Sequence, residues 1–177
     1  MVHASKLPRL PTGENMNGFK GNMASGAFEK PERGDTLLSL TSSQRMVPLV
    51  SRIVRDILVV RGELVRLVPE QEALDRKRHS LPWPDRSRRY RLQEEIAAAE
   101  RSLDQSLAEL DHLGVVLVNP EAGMVGFPTV VNGRKAFFSW KPGEETLTYW
   151  HFSGETVRRM IPASWSKVDD VSLSGRA

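Results

Sequence analysis

Four histidines supply most of the chain's potential acid–base chemistry: His3, His79, His112 and His151. His151 stands out because Tyr149 and Trp150 flank it and the expected strand register brings Arg134 alongside. A half-buried imidazole beside a tyrosine and an arginine could act as a general base. The plainer reading is a core histidine, because no carboxylate is placed beside it and Glu155 falls beyond the strand. His112 falls in the last turn of a helix, where a cation complements the helix dipole. Cysteine is absent, which excludes a disulfide scaffold, a thiolate metal site and a cysteine nucleophile. No His-x-x-x-His or Asp-x-Asp spacing occurs, so no metal site is expected. Gly123-Met124-Val125-Gly126 lacks the Lys-Ser/Thr and the helix that a phosphate loop requires. There is also no Gly-x-Ser-x-Gly elbow. No catalytic residue beyond the weak set His151, Tyr149 and Arg134 is expected, and no cofactor.

A second cluster is electrostatic. From 76 to 91 the chain carries Arg76, Lys77, Arg78, Arg86, Arg88, Arg89 and Arg91 against Asp85 alone, a net +6 in sixteen residues. His79, Trp83 and Tyr90 are interleaved with them. Cations bind phosphates and aromatic rings stack on bases, so this segment could grip RNA. It matches no RNA-binding signature, and it serves equally as a solvated tip that keeps a long hairpin soluble.

Two helices must carry that tip. Thr41-Ser42-Ser43-Gln44 fits a capping box with Thr41 as N-cap. Met46, Val50, Ile53, Ile57, Val60, Leu64 and Leu67 then follow in steps of 4, 3, 4, 3, 4 and 3, a heptad stripe of coiled-coil type. Val47, Val54, Leu58, Val65 and Val68 widen it. Pro48 should bend this helix, and Pro69 should kink or break it. After Leu81-Pro82-Trp83-Pro84, with Asp85 as the expected N-cap, a second stripe runs through Leu92, Ile96, Ala99, Leu103, Leu107, Leu110 and Leu113. Gly114 supplies the left-handed cap. The first helix is net +3 between 42 and 66 and the second net −5 between 92 and 112, which favours an antiparallel pair.

The period then changes to two. Residues 115–118, 124–131 and 134–140 read as strands, and Asn132-Gly133 signals a type I′ hairpin. Lys141-Pro142-Gly143-Glu144 is a second turn leading to a strand at 146–152. Pairing Val131 with Arg134 places Val125, Phe127, Thr129, Ala136, Phe138 and Trp140 on one face. Carrying that register onward sets Leu147, Tyr149 and His151 beside Phe138 and Ala136. It leaves Phe137, Trp150 and Phe152 on the other face, an apolar surplus that suggests an interface unless residues 153–165 cover it. The expected fold is therefore α+β: a long antiparallel helical hairpin (41–113) and a small three- to four-stranded antiparallel sheet (115–152). The expected boundaries are one domain over 36–165, a disordered leader over 1–35 and a disordered tail over 166–177.

Composition narrows the setting. The chain has 177 residues, 40% of them hydrophobic, with a net charge of +3. No run of about 18 uncharged apolar residues exists, so no membrane-spanning helix is expected. The N-terminus lacks the apolar core of a secretory signal, which makes the cytoplasm the expected compartment.

Residues 36 to 162 resemble the bacterial family catalogued as domain of unknown function 2203. The resemblance rests on Val47-Pro48, Leu113-Gly114-Val115, Gly126-Phe127-Pro128, Ser139-Trp140 and Tyr149-Trp150-His151. It implies the same order of hairpin and sheet, and no activity. Family members commonly carry an acidic residue where this chain has Gly126 and Phe152. Three functional readings follow. The first is a non-catalytic interaction or self-assembly module, forming a homo-oligomer or binding a protein partner. The second is an RNA- or ribosome-associated protein using the basic tip. The third is a small enzyme or ligand-binding protein centred on His151.

Overall fold

The computed structural model describes residues 36–165. The expected leader, with His3, and the expected tail lie outside the described residues. Two helices, α1 (Leu40–Arg76) and α2 (Trp83–His112), are followed by strands β1 (Val116–Asn119), β2 (Met124–Val131), β3 (Arg134–Trp140), β4 (Tyr149–Phe152) and β5 (Arg159–Met160). The strands form one antiparallel sheet in chain order. The fold is α+β as expected, but the sheet has five strands rather than three or four. The extra one, β5, is two residues long and too short to leave a period in the sequence.

The N-cap of α1 is Ser39, not Thr41. Its hydroxyl accepts from the Ser42 amide at 3.1 Å, and the preceding Leu38 amide donates to Pro128 O at 2.7 Å. That bond to β2 fixes where the chain turns into the helix. α1 runs unbroken through Pro48 and Pro69. An interior proline costs about 3 kcal/mol. Around Pro69 that cost is opposed by the burial of Leu64, Leu67 and Gln71 on either side. α2 starts from Pro82 as N-cap, with Pro84 in the first turn and Asp85 one step inside it. Its other end closes as expected. Gly114 has φ +69°, its amide donates to Asp111 O at 2.9 Å, and the Val115 amide donates to Leu110 O at 3.0 Å. Those two bonds define a Schellman cap.

The core has two parts. Next to the sheet, Val47, Val50, Ile53, Val54 and Ile57 of α1 and Leu110 of α2 pack on Val125, Phe127, Ala136, Phe138, Trp140, Leu147 and Trp150. Further out, Val60, Leu64 and Leu67 pack on Leu92, Ile96 and Ala99, with Val68, Leu74 and Leu103 at the margin. Thus α1, about 55 Å long at ~1.5 Å per residue, overhangs the sheet. Its far half and the first half of α2 form an arm two helices thick.

The β2–β3 hairpin turns at Asn132 (φ +52°) and Gly133 (φ +73°), and Val131 pairs with Arg134 as expected. The expected β3–β4 register is wrong by one residue. Ala136 pairs with Phe152, Phe137 with His151, Phe138 with Trp150 and Ser139 with Tyr149. The connection explains the slip. Gly143 (φ +94°) makes the type II turn and the Glu144 amide donates to Lys141 O at 3.2 Å, but the chain does not re-enter the sheet at once. Trp140 Nε1 donates to Glu144 O at 2.8 Å, Leu147 is buried, and pairing resumes only at Tyr149. A one-residue slip reverses every side chain of a strand. Here it sends Trp150 into the core.

Candidate functional site

On the sheet, the slip separates the residues expected to act together. Tyr149 and His151 alternate onto the outer face with Phe137 and Ser139, away from the helices. Arg134 belongs to the opposite face, where its guanidinium carbon lies 3.9 Å from the Phe152 ring centroid. The set His151, Tyr149 and Arg134 is therefore not assembled. His151 is 3% exposed. Its Nδ1 lies 3.0 Å from Phe152 O. A carbonyl only accepts, so Nδ1 carries a proton. Nε2 is buried with no hydrogen-bond partner among the described residues, and the ring packs 5.6 Å from Phe137. A base needs reach to its substrate, and burial denies it here.

The expected interface residues are dispersed as well. Phe137 is 6% exposed on the outer face, over Gly126, where an added Cβ would stand 3.0 Å from Phe137 Cδ1 and from Val118 Cγ2. Trp150 and Phe152 are on the inner side, packed edge-to-face at 4.9 Å. Residues after 152 do fold back, but Trp165 packs on Trp150 at 5.4 Å and on Phe138 at 6.2 Å, while Met160 is exposed. The apolar surplus is thus absorbed by the core, and these three residues form no common exposed patch.

The outer face is closed by a clamp that sequence reasoning missed. Arg158 Nε donates to Ser139 Oγ at 2.9 Å and Nη2 to Ser139 O at 2.9 Å. Its Nη1 and Nη2 also reach the two Glu144 oxygens at 2.7 and 2.8 Å, and it stacks over the Tyr149 ring at 4.4 Å. Burial pushes the Glu144 carboxyl up. Hydrogen bonds from Arg158 and the Lys141 amide outweigh that and hold it below its ordinary range. Arg158 lies 14 and 19 residues from these partners, so no local pattern announces it.

At the far end of the arm, the basic segment proves partly neutralised. Arg88 Nε and Nη2 donate to the two Glu70 oxygens at 2.8 and 3.0 Å, and Nη1 donates to Glu95 at 3.1 Å. Arg89 pairs with Asp75. Hydrogen bonding from Arg88 holds the Glu70 carboxyl below its usual range and raises the Arg88 guanidinium in turn. Arg86 Nε donates to Leu81 O at 2.8 Å and Arg78 Nε to His79 Nε2 at 3.1 Å. Over 70–95 the chain carries seven Arg or Lys and six Asp or Glu. The net +6 is therefore local to the apex and not a property of the arm.

The interhelical ion pairs among the described residues come from these tip arginines. Arg45, Arg52, Arg55, Arg61 and Arg66 make none with α2. The opposite charges of the two helices therefore act at long range, and the contact itself is apolar. What the apex presents outward is Arg76, Lys77, Arg78, Arg86 and Arg91, together with Trp83 at 76% and Tyr90 at 60% exposure.

Among the described residues, no group of three or more His, Asp or Glu could hold a metal ion, and no helix is long and apolar enough to cross a membrane. A family model for an uncharacterized conserved protein, DUF2203, matches residues 37–160. No curated protein and no solved structure matches the chain.

Proposed function

The chain belongs to the DUF2203 family, and we propose that it is a non-catalytic interaction protein of the cytoplasm, docking a partner at the apex of its helical arm. The observation that carries this reading is Trp83. It is the most exposed large hydrophobic residue described, at the end of an arm whose only packing is between its own two helices. Exposed aromatic rings and arginines are the groups that anchor macromolecular binding surfaces. Trp83, Tyr90 and the apex cations supply that composition on a convex end. The sheet contributes a rigid base. His151 and Trp150 serve it by packing.

A second reading is self-association along the arm, supported by Val59 and Val65 at 56% and 68% exposure on α1. Velocity sedimentation of native lysate tests the first reading. Wild type should travel well above the size of a 19.9 kDa chain, and Trp83→Ala with Tyr90→Ala should return it to that size. Wild type travelling as a lone chain removes the proposal. A purified homodimer that survives both substitutions favours the second reading.

A further inference from the structure

Resting on the apex as the docking element, we infer that its ligand is a single-stranded nucleic acid, with a base stacked on Trp83 and phosphates held by Arg76, Lys77 and Arg78. Three observations carry this. The first is where charge is spent. Arg88 and Arg89 are committed to Glu70, Glu95 and Asp75, so neither is spare for a ligand. From 76 to 86 four cations remain against Asp85 alone. The side chains of Arg76 and Lys77 make no hydrogen bond or ion pair among the described residues, and both are exposed.

The second is the aromatic. Trp83 is 76% exposed within a Pro82-Trp83-Pro84 run at the first turn of α2, while Leu81 just before it is buried. The two prolines fix the backbone, so the indole is held out at little entropic cost. Each base stacked on an aromatic ring contributes about 1–3 kcal/mol irrespective of sequence.

The third is shape. Two packed helices are about 20 Å across. The major groove of a DNA duplex is about 12 Å wide, and that of A-form RNA is narrower still. Presented broadside, the apex is wider than either groove. A single strand draped over it meets both the ring and the cations.

Fluorescence anisotropy of a labelled oligouridylate of about 12 nucleotides against the full chain tests this. Three net charges predict a log–log salt slope of about −2 for a single strand. Trp83→Ala should weaken binding roughly tenfold, with Trp83→Phe recovering most of it. The triple variant R76E/K77E/R78E should abolish binding while circular dichroism stays that of wild type. A duplex of the same length should bind at least tenfold more weakly. No binding at low salt, equal binding of duplex, or binding indifferent to Trp83 overturns the inference. So does capture by anionic lipid vesicles without oligonucleotide binding. If the oligonucleotide fails while wild type still sediments with a partner, the ligand assignment falls and the arm remains a docking element. If wild type also sediments alone, both fall.

Discussion

Arg88 and Glu70 meet across the hairpin in a two-pronged pair, Nε to Oε1 at 2.8 Å and Nη2 to Oε2 at 3.0 Å. The pair ties the start of α2 to the end of α1 one residue past Pro69, at the place where the proline was expected to break the helix. It also removes a cation from the apex. The same contact therefore both joins the two helices beside Pro69 and lowers the free charge at the arm's end.

The Glu70 carboxyl reports on this pair. Arg88→Ala should raise its titration point toward the ordinary 4.5, because the hydrogen bond from Arg88 is the largest cause of its depression. Carbon-detected NMR titration of the glutamate side chains reads it. An unmoved Glu70 would mean that the pair does not persist in solution.

Glu144 gives the molecule an acid limb. Its folded-state affinity for protons is lowered, so its contribution to stability is present above 4.5 and is lost as pH falls through the lower folded value. Urea unfolding between pH 6 and pH 3, conditions chosen to bracket that window, should show stability falling. Glu144→Gln should be less stable at the upper end and flatter across the range. A parallel fall in the variant would assign the limb to other groups.

Gly123 (φ +64°) couples the β1–β2 turn to α1, since an added Cβ would stand 2.8 Å from Val54 Cγ1 and 2.9 Å from Leu58 Cδ1. A left-handed conformation alone costs an L-residue about 1–2 kcal/mol. With the close contact added, Gly123→Ala should lose about 2 kcal/mol or more by chemical denaturation. At Gly133 (φ +73°), where nothing stands within 4 Å of the added Cβ, the same change should cost only the backbone share.

Phe127 and Trp83 separate core from surface. Phe127 is fully buried at the centre of the sheet-side core, and truncation to Ala should cost about 3–5 kcal/mol. Trp83→Ala should stay within about 0.5 kcal/mol of wild type, because the ring is mostly in water. Substantial destabilisation by Trp83→Ala would turn it from a docking residue into a packing one.

The hairpin and the first three strands were legible because their signals are local. The stripe from Met46 to Leu67 repeats every three or four positions, Gly114 marks the stop, and Asn132-Gly133 dictates the pairing of Val131 with Arg134. The β3–β4 register was not legible. It depends on how Trp140, Glu144 and Leu147 fold the connection, a question of packing rather than period. That single residue of slip moved Trp150 and Phe152 inward, parted His151 from Arg134 and dissolved the expected interface. The apex was half legible. Its cations and aromatics read directly from 76–91, but their neutralisation by Glu70, Asp75 and Glu95 needed the antiparallel pairing to bring distant acids alongside.

The most direct measurement is photocrosslinking in cells with a photoreactive amino acid at position 83, compared with one at Val65, also well exposed, on the side of the arm. Docking at the apex predicts a discrete adduct from position 83, nuclease-sensitive if the ligand is a nucleic acid, and little or none from position 65. Adducts from position 65 alone, or from neither, would contradict an arm that works through its end.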